Sequence, residues 1–280
     1  MQAPAPRALP VVVSAHWLAA HRDDVVLADV RWYLDGRSGR AAYDAGHLRG
    51  AVFVDLDRWL AAPPDTTGAR HPLPDPAVFA EGMAALGIGD DTAVVAYDDA
   101  GGVIAARLVW MLRATGHAAA LLDGGLAAHD GELSAEPVQP AAAARFTAHR
   151  WPASLLATAD DATDPRHVVL DARDHERYTG ATEPVDPRAG HIPGARSLPT
   201  REHLGADGRF LPEDVLRQRF DAAGVRADSS VVAYCGSGVT ACHTLLALER
   251  AGFGPGRLYA GSWSQYSADA SREARTGERP

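Results

Sequence analysis

The two halves of the chain carry the same short motifs in the same order, and this repetition limits the folds that it can adopt. Each apolar run or glycine-containing turn of the first half has a counterpart in the second. The counterparts are Val25–Arg31 and Val168–Arg173, Gly46–Ala51 and Gly190–Ala195, Val94–Asp98 and Val231–Cys235, Ile104–Ala114 and Ala241–Ala251, and Leu121–Gly125 and Leu258–Ser262. A fixed order of this kind indicates a duplicated domain.

Within each half, apolar runs of four or five residues alternate with helical stretches. This alternation is typical of βαβ units, and it predicts an α/β fold in which each domain is a mainly parallel sheet with helices on both faces. The length of 280 residues suits two domains of ordinary size. We predict domains at residues 1–133 and 153–280, joined by an Ala- and Pro-rich linker at residues 134–152.

Cys235 lies between a predicted buried strand, Val231–Tyr234, and a predicted helix that begins at Ala241. Gly236 and Gly238 allow the connecting loop to turn tightly, with its N–H groups pointing inward, and the helix N-terminus adds partial positive charge. Such a loop stabilises an anion, and the nearest one is the thiolate of Cys235. The sequence therefore predicts a nucleophilic cysteine, although a small buried cysteine is the simpler alternative.

Three other residues help to separate function from packing. Cys242 lies inside the helix, about two turns beyond Cys235, or about 10 Å along the axis, which is too far for a disulfide with Cys235, so we interpret it as a packing residue. Asp98 occupies the position of Cys235 in the first half, which is therefore predicted to be catalytically inactive. His47 and His191 recur in both halves, and we expect them to hold a turn. No Cys/His cluster has metal-ligand spacing, so we expect neither a metal nor a cofactor.

Composition excludes several classes of partner. The net charge is −9 without a basic run, so nucleic acid is not an expected partner. No apolar run approaches the roughly 20 residues of a membrane span, and we expect no membrane partner. Two cysteines fit a reducing compartment, and we expect a cytoplasmic protein.

Three motifs together resemble the rhodanese family, specifically its tandem two-domain sulfurtransferases: Gly190–Ala195, the Cys235 loop and Leu258–Trp263. The resemblance covers nearly the whole chain. It implies that the cysteine accepts a sulfur atom as a persulfide and passes it to cyanide or to a thiol, which a thioredoxin-like protein could supply. It also implies that the loop surrounds the persulfide with backbone N–H groups. The loop residues are Gly236, Ser237, Gly238, Val239 and Thr240.

The residues after the cysteine distinguish two branches of this family. Thiosulfate-type loops carry basic residues there, whereas Gly236 and Ser237 are uncharged. The loop is thus more similar to the 3-mercaptopyruvate branch, and thiosulfate remains the alternative donor. Arg177 and Arg188 match arginines that bind the substrate's oxygens in that branch, and arginine suits carboxylates. Surface salt bridges are the alternative interpretation of both arginines.

The same branch implies a proton relay in which Ser237 is assisted by two residues of the first half, His71 and Asp57. The leaving pyruvate enolate must gain a proton, and histidine moves protons near neutral pH. The resemblance therefore predicts that Ser237, His71 and Asp57 form a triad.

Two other functions compete with sulfur transfer as interpretations of the sequence. A cysteine phosphatase or arsenate reductase places an arginine six residues after the cysteine, and Ala241 stands there. A paired-domain module that carries sulfur or binds a partner without acting on a small substrate remains a further alternative.

Overall fold

The computed structural model describes residues 9–139 and 144–280, and these form two compact units. The first unit comprises Met1–Ala61, Pro74–Trp151 and Ala206–Phe210, and the second comprises Ala62–Leu73, Pro152–Gly205 and Leu211–Pro280. A short segment of each sequence half thus belongs to the other half's unit. The predicted domain boundaries stay a prediction, and residues 140–143 of the predicted linker lie outside the described residues.

The first unit is built on a parallel sheet of five strands in the order β1-β5-β4-β2-β3. Its strands are β1 Val12–Val13, β2 Val25–Asp29, β3 Val52–Phe53, β4 Ala93–Tyr97 and β5 Ala119–Leu122. Its helices are α1 Ala15–Ala20, α2 Gly39–Ala45, α3 Pro76–Ala85 and α4 Ala106–Ala114, with short 3₁₀ or π turns at Arg22–Asp24, Leu56–Leu60 and Gly125–Ala128.

The second unit has a parallel sheet of four strands in the order β7-β6-β8-β9. Its strands are β6 His167–Asp171, β7 Arg196–Ser197, β8 Ser230–Tyr234 and β9 Arg257–Leu258. Its helices are α5 His175–Thr179, α6 Glu213–Ala222, α7 Ala241–Arg250 and α8 Ser262–Ala268, with 3₁₀ turns at Ala153–Leu155, Asp161–Thr163 and Thr200–His203. A parallel bridge between Leu156 and Leu258 takes the place of β1 at the edge. The two sheets therefore share one topology.

The central strands β4 and β8 are buried along nearly their whole length, as expected for parallel strands covered on both faces. Each ends in a tyrosine whose hydroxyl accepts a backbone N–H from the Gly-His turn earlier in the same unit: Leu48 to Tyr97 at 3.0 Å and Ile192 to Tyr234 at 3.2 Å. Equivalent contacts in both units confirm the α/β fold with a duplicated architecture.

The two turn histidines also make matching contacts. Nδ1 of His47 lies 2.9 Å from the Tyr43 carbonyl, and Nδ1 of His191 lies 2.8 Å from the Tyr178 carbonyl. Each ring stacks on the ring of that tyrosine. Both histidines thus hold the turn, as predicted.

At the carboxyl end of β4 lies Asp98, and at that of β8 lies Cys235. In an open parallel sheet this edge is where ligands bind. Among the described residues, no helix is long and apolar enough to cross a membrane.

Candidate active site

Cys235 follows the last residue of β8 and is 2% exposed. The Gly238 N–H points at its sulfur, with N and Sγ 3.1 Å apart. Gly238 has φ +81°, and a Cβ there would lie 2.5 Å from the Ala260 carbonyl oxygen. Only glycine fits this position, so the sequence pattern Cys-Gly-Ser-Gly sets how the loop approaches its own sulfur.

The start of α8 fixes the backbone on the other side of the cysteine. Ser262 Oγ accepts the Cys235 N–H at 3.1 Å. The N–H groups of Trp263 and Ser264 donate to the carbonyls of Cys235 and Gly236 at 2.9 and 2.8 Å. The predicted Leu258–Trp263 motif therefore holds the backbone of Cys235 in place.

Val239 and Thr240 lead from the loop into α7. Their carbonyls accept the N–H groups of Cys242 and His243 at 3.2 and 3.0 Å. Thr240 makes no side-chain cap at the N-terminus of α7. The positive end of this helix therefore begins beside the cysteine without a capping side chain.

His71 lies beside the loop because segment 62–73 belongs to the second unit. Its Nδ1 is 2.7 Å from Oγ of Ser237, and both side chains are buried. The preceding residue is also anchored there, since the Arg70 N–H donates to Ser264 Oγ at 3.1 Å. The structure thus brings together two of the three predicted relay residues.

Two guanidinium groups converge above Gly236. A Cβ on Gly236 would lie 3.0 Å from Nη2 of Arg70 and 3.5 Å from Nη1 of Arg177. Asp186 joins them: its Oδ1 accepts from Arg70 at 2.6 Å and its Oδ2 from Arg177 at 2.9 Å. A larger residue after the cysteine would have to displace these guanidinium groups, and an anion bound there meets two arginines.

Glu183 forms an ion pair with Arg177. Its carboxylate accepts from Nη2 of Arg177 at 2.6 Å and from Nη1 of Arg173 at 3.2 Å. Burial alone would raise the pKa of Glu183, but hydrogen bonds from Arg177 and from the Asp186 and Val185 amides lower it overall. Glu183 is thus an ionised partner that fixes Arg177.

The other two predicted site residues have different surroundings. Arg188 donates to four backbone carbonyls at 2.8–3.0 Å, those of Tyr266, Ser267, Asp269 and Arg272. Four of its five N–H groups therefore hold the last turn of α8 and the chain after it. Asp57 belongs to the first unit, where its carboxylate accepts from Trp32 Nε1 at 3.0 Å. A substrate-binding role for Arg188 and a relay role for Asp57 stay predictions from the resemblance.

Sequence reasoning missed Arg70. Its position directly before His71 was a usable signal, because a residue adjacent to a candidate relay histidine lies near the same reacting atoms. Only the placement of segment 62–73 in the second unit shows that the side chain faces Gly236.

The first unit has the carboxyl group of Asp98 at the equivalent position; burial raises the pKa of this group, and the backbone hydrogen bonds that it accepts oppose that rise. The Asp98 carboxylate accepts four backbone N–H groups of its loop at 2.7–2.9 Å and is 1% exposed. The donors are Ala100, Gly102, Ile104 and Ala105. A loop of this type, between a strand and a helix, thus surrounds negative charge with amides, which supports the predicted anion-stabilising role of the Cys235 loop.

Comparison with known proteins agrees with this geometry. The family model described as "Rhodanese-like domain" matches residues 14–131 and 154–269. A probable 3-mercaptopyruvate sulfurtransferase of Pseudomonas aeruginosa is 44% identical, over 95% of this chain and 98% of the relative. A putative thiosulfate sulfurtransferase of Mycobacterium tuberculosis is 39% identical, over 91% of this chain and 92% of the relative.

Two solved structures of 3-mercaptopyruvate sulfurtransferases are also similar to this chain. The crystal structure of a 3-mercaptopyruvate sulfurtransferase from Escherichia coli is similar with a TM-score of 0.79 at 32% identity, over 91% of this chain and 99% of that one. The corresponding enzyme from Leishmania major has a TM-score of 0.81 at 32% identity, over 95% of this chain and 77% of that one.

The chain belongs to the rhodanese-like family, as a member with two such domains. Its enzyme class is that of the sulfurtransferases. The predicted family, fold and enzyme class are thereby confirmed.

Proposed function

We propose that the protein transfers sulfur from 3-mercaptopyruvate, through a persulfide on Cys235, to a thiol or to cyanide. The contact between His71 and Ser237, 2.7 Å in the loop that holds Cys235, carries this proposal. It provides a proton carrier beside the nucleophile. The two residues that follow Cys235 in this loop, Gly236 and Ser237, are uncharged. The names of the relatives from Pseudomonas aeruginosa, Escherichia coli and Leishmania major support the same donor.

The first half-reaction breaks the carbon–sulfur bond of the donor. The Cys235 thiolate attacks the donor's thiol sulfur, a sulfur–sulfur bond forms, and the carbon–sulfur bonding pair leaves on carbon as the enolate of pyruvate. The donor's thiol proton ends on that carbon, so thiolate and mercaptopyruvate become persulfide anion and pyruvate without an added proton. Ser237 and His71 carry this proton, because a histidine can accept and release it near neutral pH.

The donor's carboxylate binds between Arg70 and Arg177. Both guanidinium groups face Gly236, the residue next to the nucleophile, and arginine pairs with carboxylates through two parallel hydrogen bonds. The proposed clamp consists of Arg70 and Arg177, whereas the resemblance implies Arg177 and Arg188, and a substrate contact of Arg188 stays a prediction.

The second half-reaction regenerates the enzyme. Cyanide attacks the outer sulfur of the persulfide and leaves as thiocyanate, while the electron pair of the sulfur–sulfur bond returns to Cys235 as thiolate. A dithiol acceptor instead releases sulfide and becomes a disulfide. The loop amides, among them Gly238 N–H at 3.1 Å from the sulfur, stabilise the anionic persulfide before transfer.

Thiosulfate is the second candidate donor, since two arginines near the cysteine would also attract a dianion, and a relative at 39% identity is named for it. The test is a side-by-side measurement of kcat/KM for 3-mercaptopyruvate and thiosulfate with cyanide as acceptor. We expect the ratio to favour mercaptopyruvate. A preference for thiosulfate contradicts the proposed donor, and a lack of turnover with both supports a carrier module.

A further inference from the structure

A continuous chain of alternating charges leads from the sheet to the Cys235 loop. Three arginines and three carboxylates are joined in sequence by ion pairs of 2.6–3.2 Å. In order they are Asp171, Arg173, Glu183, Arg177, Asp186 and Arg70. These six side chains carry three positive and three negative charges, so the charges of the two arginines that face Gly236 are already balanced before a donor binds.

Asp186 is the member of this chain that touches both arginines above Gly236. Its side chain is 2% exposed, and its two oxygens are divided between Arg70 and Arg177. Glu183, by contrast, holds Arg177 and Arg173. Without Asp186, Arg177 would therefore still donate two hydrogen bonds to Glu183, from Nε at 3.2 Å and from Nη2 at 2.6 Å.

We propose that Asp186 is a specificity-determining residue that makes the donor site accept monoanions and disfavour dianions. The inference rests on the proposed function, in that the favoured monoanion is mercaptopyruvate. By sharing its charge between Arg70 and Arg177, Asp186 leaves N–H donors for one carboxylate without the net positive charge that would favour the dianion thiosulfate.

The physical reason is that electrostatic attraction grows with the charge of the ligand. An unneutralised pair of arginines would attract a dianion about twice as strongly as a monoanion at the same distance. A buried carboxylate that contacts both arginines subtracts from this attraction, and it costs the dianion twice as much. The uncharged Gly236 and Ser237 add no compensating positive charge.

The test compares donors in Asp186→Asn, which keeps the side chain's size and removes its charge. We expect the ratio of kcat/KM for thiosulfate to kcat/KM for 3-mercaptopyruvate to rise by at least about tenfold, mainly through a lower KM for thiosulfate. Asp186→Glu retains the charge and should keep the wild-type ratio. An unchanged ratio in Asp186→Asn overturns the proposal.

Asp214→Asn is the matched control, because it removes the same charge from an exposed position on α6. An equal rise in this variant would mean that net charge, not Asp186, sets the ratio, and would also overturn the proposal. Arg70→Gln changes the site in the opposite sense, so the ratio should fall. Combining Arg70→Gln with Asp186→Asn restores neutrality and should return the ratio towards wild type.

A binding measurement tests the proposal even where a variant loses turnover. In a Cys235→Ser background, calorimetric titration with sulfate and with pyruvate compares a dianion and a monoanion without catalysis. Asp186→Asn should strengthen sulfate binding relative to pyruvate, and equal changes for both anions overturn the proposal. A wild-type preference for thiosulfate would instead defeat the proposed donor, while the effect of Asp186 on the anion ratio would still be measured.

Discussion

Nδ1 of His71 lies 2.7 Å from Oγ of Ser237, although 166 positions separate the two residues in the chain. If this pair moves the donor's proton, His71→Gln should lower kcat for 3-mercaptopyruvate by about 10²-fold or more, because the enolate then lacks its proton carrier. KM should change less. Steady-state kinetics with cyanide as acceptor measures both constants.

The same variant should transfer sulfur from an already formed persulfide to cyanide at nearly the wild-type rate, because that step releases no enolate. His16→Gln, at an exposed position, is the control and should leave both steps unchanged. Equal losses in the two half-reactions of His71→Gln would show that the ring only supports the loop.

Replacing the two cysteines separately tests the assignment of the nucleophile. Cys235→Ser should abolish sulfur transfer, because a hydroxyl cannot hold a sulfane sulfur. Cys242→Ser should retain most activity, since its sulfur is fully buried in α7 and donates to the Gly238 carbonyl at 3.4 Å. Intact-mass spectrometry after donor treatment should show one added sulfur, about 32 Da, removable by cyanide. A persulfide on Cys242 would contradict the assignment.

The duplicated fold and Cys235 could be predicted from the sequence because they are local. Apolar runs, glycines and a cysteine at a strand end are adjacent in the chain, and the repeat provides a second copy for comparison. Arg70 and Asp186 could not be paired in this way. They lie 116 positions apart, and their contact depends on segment 62–73 joining the second unit, which no local pattern encodes.

Arg188 shows that one sequence signature can fit two roles. An arginine at a family position suggests a substrate contact, but an arginine also satisfies carbonyls at the end of a helix, and both uses have the same sequence signature. Here the last turn of α8 and the chain after it leave carbonyls at Tyr266, Ser267, Asp269 and Arg272 that Arg188 satisfies.

Asp98 should stabilise the first unit through the backbone hydrogen bonds that its carboxylate accepts. The carboxylate accepts four N–H groups, and an amide cannot accept on its nitrogen side. We therefore expect Asp98→Asn to lower the free energy of unfolding by about 2–4 kcal/mol, because two buried donors lose their acceptor. Asp91→Asn, at an exposed position, should change it by less than about 0.5 kcal/mol. Urea unfolding at neutral pH measures both, and equal effects would contradict this role.

Ser262 combines backbone strain with a contact to the nucleophile. Among the described residues it is the non-glycine residue with positive φ, +52°, and its Oγ accepts the Cys235 N–H. Ser262→Ala keeps the strain and loses the hydrogen bond, so it should be destabilised by about 1–2 kcal/mol. Ser262→Gly also loses the bond but relieves about 1 kcal/mol of strain. In urea unfolding, Ser262→Gly should have a higher free energy of unfolding than Ser262→Ala. The reverse order would show that packing of the Cβ contributes more to stability than relief of the strain.

His203 should make the protein less stable in mild acid. Its ring is fully buried and stacks on Phe220 at 5.3 Å, and burial, with a smaller effect of Arg219, lowers its pKa to about 3. In the unfolded chain a histidine has a pKa of about 6.5. Between these values only the unfolded state takes up the proton, so stability is complete above about pH 6.5 and falls as the pH decreases towards 3.

The contribution of His203 can be isolated by comparing pH dependences. From pH 7.5 to pH 5.0 this one ring should remove about 2 kcal/mol from the free energy of unfolding. His203→Leu cannot take up the proton when unfolded, so its loss over the same interval should be smaller than that of the wild type by about 2 kcal/mol. His16→Leu, at an exposed position, should follow the wild-type curve. Parallel curves for the wild type and His203→Leu would mean that His203 is already protonated in the folded protein at pH 5.0, in conflict with its burial.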